Sequence, residues 1–114
     1  MEGRQVREFA LTHVPPALTK IVAAAGLPLT AKVHVVPHQP NGRMLDELAE
    51  HVALPNARLH RTVERYGNVG SASVPVTLDE AHRGGALRDG DLVLLTAFGG
   101  GMAMAHCLLR WQAR

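Results

Sequence analysis

Apolar residues recur near every 3.6 positions between Gln5 and Ala25, at Val6, Phe9, Ala10, Leu18, Ile21, Val22 and Ala25, which predicts a helix. Pro15 and Pro16 fall inside it, so a kink or two helical pieces is expected, with Gly26 and Pro28 as the stop. The pattern then changes. Lys32 to Pro37 is a short valine-rich run that reads as a buried strand, and Met44, Leu45, Leu48, Ala49 and Val52 line one face of a helix starting near Asn41. Leu59 to Val63 reads as a short strand leading into a Gly67-Asn68 turn. Ser71 to Ala81 reads as a helix, with Pro75 in its first turn and Gly84-Gly85 at its end. Asp91 to Phe98 is apolar on both faces, as an interior parallel strand is, and after three glycines Met102 to Arg110 returns antiparallel. The order αβαβαββ predicts an α/β fold with a mostly parallel sheet.

Composition narrows this picture. The chain has 114 residues, enough for one domain spanning 1–114. Its 46% apolar and 19% charged residues exclude disorder as the main state. No apolar run reaches the roughly 18 residues of a membrane span, and Met1 to Ala10 is too charged for a signal peptide, so a cytoplasmic domain is expected. A formal charge of +2 without a basic run gives no reason to expect nucleic acid. The single cysteine, Cys107, excludes an intrachain disulfide framework and a multi-Cys zinc site. The histidines show no metal-ligand spacing, and no cofactor is implied.

The candidate chemistry gathers at one place. His38 follows the first predicted strand, Asn68 the second, and Phe98-Gly99-Gly100-Gly101 the third. In a parallel sheet these strand ends share one edge, where open α/β sheets bind ligands. An imidazole, a carboxamide and glycine amides suit stabilisation of an oxyanion or enolate better than metal binding. Taken singly, each also has a plainer reading: a capping histidine, a Gly-Asn turn, a tight reversal. The glycines match neither the dinucleotide nor the P-loop pattern.

The literal wording of these segments is more specific. Val36-Pro37-His38-Gln39-Pro40-Asn41-Gly42-Arg43 and Glu64-Arg65-Tyr66-Gly67-Asn68-Val69-Gly70-Ser71-Ala72-Ser73 closely resemble two segments of β-ketoacyl-acyl-carrier-protein synthase III. Leu78-Asp79-Glu80-Ala81, Gly90 to Leu95, Ala97 to Gly101 and the ending Leu108-Leu109-Arg110-Trp111 continue the resemblance in order. Met1-Glu2-Gly3-Arg4 is similar to the segment that opens the first helix of the family's C-terminal half. The resemblance implies half of a thiolase-like fold and an acyltransferase that condenses an acyl group with malonyl-acyl carrier protein after decarboxylation, in fatty-acid or polyketide biosynthesis. It implies that His38 and Asn68 donate to the malonyl thioester carbonyl and that the Gly100 N–H serves the oxyanion hole. Phe98 would pack beside the donors, Asn41 and Gly3 would touch the pantetheine arm, and Arg43 would attract the acyl carrier protein.

The same resemblance implies gaps. The family's nucleophilic cysteine lies in its N-terminal half, and Cys107, among Ala105, Leu108 and Leu109, reads as a small buried thiol. A strand in the middle of the family's C-terminal sheet precedes the first helix, so an open edge is expected beside Asp91 to Phe98. Glu8, Glu50 and His51 stand where basic residues are common, Val69 where threonine is, and Met102 to Ala105 replace a segment that usually holds a Thr-Trp pair. Three readings follow: a half-enzyme for coenzyme A thioesters and acyl carrier protein, completed by an N-terminal half or by self-association; a non-catalytic binding or assembly module; or a truncated fragment.

Overall fold

The computed structural model describes residues 3–112; Met1 and Glu2, which open the resemblance, lie outside the described residues. Helix α1 runs unbroken from Gly3 to Ala24, with both prolines inside it. Ala10, Val14, Leu18 and Val22 are fully buried at every fourth position. This one stripe spans the prolines and packs both halves of the helix on the same sheet face, so of the two alternatives, a kink or two pieces, the second gives way to one continuous helix. Gly26 ends the run at a φ of 77°, with the Leu27 N–H reaching back to the Val22 carbonyl.

The remaining elements are β1 (Val33–Pro37), α2 (Gly42–His51), β2 (Ala57–Leu59), α3 (Val63–Tyr66), a 3₁₀ turn (Gly70–Ala72), α4 (Ser73–Arg83), β3 (Leu92–Gly99) and β4 (Ala103–Arg110). The strand order is β2-β1-β3-β4. β1 is parallel to both β2 and β3, and β4 runs antiparallel to β3. Alternation along the strands makes two apolar layers. Val33, Val35, Leu94 and Phe98 pack with α1 and α2, while Val36 and Val93 pack on the other face with Ala81 and Leu87.

Two expectations are corrected here. Val33 pairs with Leu92 and the register continues to Pro37 with Thr96, so β3 has a partner on each side and no open edge. The outer edges of the sheet belong to β2 and β4. The expected strand over Leu59–Val63 instead ends at Leu59, and Val63 begins α3. Gln39, fully buried, is the reason. Its Oε1 accepts from the N–H groups of Thr62 (2.8 Å) and Val63 (3.1 Å), and its Nε2 donates to the Pro37 and His60 carbonyls. Amides turned toward a side chain cannot extend a ladder.

Candidate active site

Beyond the C-terminal ends of β1 and β3 lies a mostly apolar cavity of about 580 Å³, whose lining includes His38, Gly70, Ser73, Phe98, Gly99 and Gly100. The sheet carries His38 there: its N–H continues the β1–β3 ladder to the Thr96 carbonyl at 2.8 Å. The His38 ring meets Phe98 edge-on, 5.4 Å between centroids. Its Nδ1 lies 2.7 Å from Ser73 Oγ at the start of α4. Burial pushes the imidazole below its ordinary range, which favours the neutral ring near pH 7.

Asn68 arrives by another route, nine residues beyond β2. It is exposed, and its Oδ1 accepts the Gly70 N–H at 2.9 Å. With the oxygen held, the amide hydrogens of Asn68 are available to a ligand. Gly70 has a φ of 63°, a left-handed conformation that glycine adopts without strain. Its carbonyl accepts from Ser73 Oγ at 2.8 Å. Gly100 sits at the β3–β4 reversal, where Gly99 pairs with Ala103 and Gly101 takes a φ of 116°.

The fold therefore brings His38, Phe98 and Gly100 to one cavity and ties Asn68 to its rim through Gly70. The other candidates lie apart from it. Asn41 caps α2, its Oδ1 accepting the Met44 N–H at 2.8 Å, and Arg43 is exposed on that helix's first turn. Gly3 is the exposed first residue of α1. Cys107 corrects the buried reading: it is exposed, because β4 is an edge strand with little cover, and it lines the same cavity. Ser73 and Gln39 were not singled out from the sequence, although both stand inside the two segments that carry the resemblance.

A second polar cluster lies at the start of β1. His34 Nδ1 is 2.8 Å from His60 Nε2, and His34 Nε2 is 3.2 Å from Asp91 Oδ2. Burial first, then the neighbouring His34 and Arg58, lower the pKa of His60 to about 4. Among the described residues, no group of three or more His, Cys, Asp or Glu side chains is arranged to hold a metal ion, and no helix is long and apolar enough to cross a membrane.

This sheet, with its order β2-β1-β3-β4 and a cavity beyond the strand ends, is of the thiolase-like α/β class of fold. Residues 22–111 match the family described as 3-oxoacyl-[acyl-carrier-protein (ACP)] synthase III C terminal, and the chain belongs to that family. It is 50% identical over 97% of its length to the acetoacetyl CoA synthase of Streptomyces sp. (strain CL190), of which it covers 34%. The crystal structure of 3-oxoacyl-(acyl carrier protein) synthase III from Pseudomonas aeruginosa PAO1 superposes on 99% of the chain with a TM-score of 0.89 and 34% identity, the chain covering 35% of it. The priming β-ketosynthase of the R1128 polyketide pathway matches 96% of the chain at 36% identity and a TM-score of 0.87, with 33% of that protein covered. The chain thus spans about a third of the length of these relatives.

Proposed function

We propose that this chain supplies the half-site that binds and decarboxylates a malonyl thioester in a condensing acyltransferase of the 3-oxoacyl-acyl-carrier-protein synthase III type. The observation that carries the reading is the hydrogen bond of Asn68 to Gly70, a residue that lines the cavity with His38: the Asn68 oxygen is taken by the Gly70 N–H, so its amide hydrogens are left to donate to a ligand. Loss of carbon dioxide from a malonyl thioester builds negative charge on the thioester oxygen. Aimed donors at the edge of an apolar cavity stabilise that charge more than the neutral ground state. His38 and Asn68 hold this oxygen, and the Gly100 N–H serves the oxyanion of the acyl-transfer step. Phe98 shields the pair, and Asn41 and Gly3 meet the pantetheine arm. Arg43 offers a cation to an acidic acyl carrier protein, with coenzyme A thioesters as the other substrates.

The acyl-accepting cysteine then comes from an N-terminal half of the fold, whether on the same longer chain or on a separate polypeptide. Mixing the chain with the N-terminal two-thirds of a relative, and following carbon dioxide release from malonyl thioesters, tests this. His38→Ala and Asn68→Ala are each expected to slow that release on the order of a hundredfold to a thousandfold, with acylation of the partner's cysteine less affected. Equal losses in both half-reactions would contradict the assignment.

A further inference from the structure

A chain of hydrogen bonds crosses the start of the sheet, at the end opposite the His38 cavity. Asp91, kept ionised chiefly by the Arg88 N–H, can only accept, so the proton in its 3.2 Å contact with His34 stands on His34 Nε2. In a neutral ring that leaves a lone pair on His34 Nδ1. The 2.8 Å contact of that nitrogen with His60 Nε2 then takes its proton from His60. The last nitrogen of the chain, His60 Nδ1, is therefore a lone pair in the neutral pair, and it has no partner among the described residues. His60 is only 8% exposed and lines a polar cavity of about 440 Å³ together with Arg58, Thr62, Arg65, Thr77 and Glu80.

We propose that Arg58 and His60 form a binding site for a tetrahedral oxyanion, a sulfate or a phosphate group, which assembles when the His34–His60 pair takes up one proton. A proton from water enters at His60 Nδ1, the Nε2 proton of His60 passes to His34 Nδ1, and His34 keeps its Nε2–H toward Asp91. The added charge then rests on His34 beside a carboxylate. His60 stays neutral, but the nitrogen it turns to the cavity has changed from acceptor to donor. Arg58 supplies the other donors: it pairs with His34 in the β1–β2 register, is exposed and makes no ion pair among the described residues. The other arginines of the lining are engaged, Arg61 by Asp46 and Glu64, and Arg65 by Glu80. Glu80 is the one carboxylate among the described lining residues, so no unpaired carboxylate opposes an anion there. On the far side of the pair, Arg88 lies near Asp91. Arg58 and His34 both oppose a charge on His60 itself, and an anion held between Arg58 and His60 would relieve that repulsion.

Sulfate is the probe for the pH dependence, because its own charge is constant between about pH 5.5 and 7.5, where histidine titrates. Titrated into the full chain in a calorimeter, it should bind about tenfold more tightly at the lower pH than at the higher, a usual size for two coupled sites. Long-range proton–nitrogen spectra of the chain labelled with ¹⁵N-histidine should show the His60 proton on Nε2 at the higher pH, and on Nδ1 at the lower pH with sulfate present. Arg58→Gln, at an exposed position, should keep the melt and lose sulfate binding at both pH values, and His60→Gln should remove the pH dependence. Inorganic phosphate and adenosine monophosphate, compared at the lower pH, separate a free anion from a phosphate ester as the ligand; binding of either supports the site. Equal sulfate affinity at the two pH values, wild-type binding by Arg58→Gln, or no binding of all three anions would overturn the proposal. So would a His60 proton already on Nδ1 at the higher pH, a result that the wild-type spectrum gives even if a variant does not fold.

Discussion

His38 and Asn68 are tied to opposite sides of one residue, Gly70. The Gly70 N–H holds the Asn68 oxygen at 2.9 Å, and the Gly70 carbonyl holds Ser73, whose hydroxyl meets His38. Two side chains thirty positions apart therefore share one backbone reference. Their relative placing depends on the φ of 63° at Gly70.

That dependence makes Gly70→Ala informative. A Cβ at Gly70 would meet nothing within 4 Å, so any effect is conformational rather than steric. An alanine held at positive φ costs roughly 1 kcal/mol or a little more. Gly70→Ala should lower stability by about that amount in a denaturant melt and release the Asn68 side-chain amide, seen as loss of its distinct NMR resonances. Gly70→Asn should cost less, because asparagine tolerates this region. An alanine variant with wild-type stability and an unchanged Asn68 amide would show that the turn does not depend on this φ.

Gln39 supports the other side of the site. Gln39→Leu leaves the amides of Thr62 and Val63 and the carbonyls of Pro37 and His60 without their side-chain partners. A buried polar group without a partner costs about 1 to 3 kcal/mol, so the loss should reach at least about 3 kcal/mol. Against a usual net stability of about 5 to 15 kcal/mol, that endangers folding. A melt within about 1 kcal/mol of wild type would mean that water replaces the glutamine.

How much of this was legible follows from what periodicity can report. β3 was read correctly because Val93, Leu94 and Leu95 lie among apolar residues on both faces, which only an interior strand needs. α4 was bounded by Pro75 and Gly84, whose backbone limits are local. The α1 stripe is half legible: Val14 stands beside two prolines, whose local rule is to break a helix, and only packing on the sheet makes it part of the stripe. β2 was misplaced because its end is set by Gln39, a side chain about twenty residues away with no local signature. The site was legible as strand ends and as a family resemblance, which gave His38, Asn68 and Gly100. Ser73 was not, because its role lies in a contact 35 residues distant. The exposure of Cys107 depends on strand order, which alternation alone does not report.

The His34–His60–Asp91 cluster predicts an acid-sensitive fold. His60 is 8% exposed, and its pKa falls to about 4 from an ordinary value near 6.5. Between those values the unfolded chain binds a proton that the folded chain does not, so stability rises with pH across the window. The contribution is complete above about pH 6.5 and is lost as pH falls toward 4, about 3 kcal/mol in all. His38 and His106 are lowered in the same direction and add to the slope. Asp91 is lowered chiefly by the Arg88 N–H, so its own loss comes at still lower pH. Melts from pH 7.5 to 4 should show this decline, and His60→Gln should flatten it. An equally steep decline in His60→Gln would place the proton uptake elsewhere.

The outer edge of β4 is where this chain should self-associate. Ala103 to Leu109 contains no Lys, Arg, Asp, Glu or Pro, the residues that usually blunt an exposed edge, and Arg110 stands only at its end. Ala103, Met104, Ala105 and Cys107 are exposed along it, with Met104 at 39%. An antiparallel pairing of two copies of this edge would satisfy backbone groups on both without placing two arginines opposite each other, since Arg110 would face the far end of the second strand. Sedimentation across a micromolar concentration series should show growth beyond the monomer. The Cys107 thiol, open in the single chain, should become slower to label with a maleimide as concentration rises. Ala105→Lys places a charge on the edge and should restore a monomer that labels quickly without loss of the melt. A chain that stays monomeric at tens of micromolar, with Cys107 labelled at the same rate throughout, would show that this edge needs no partner.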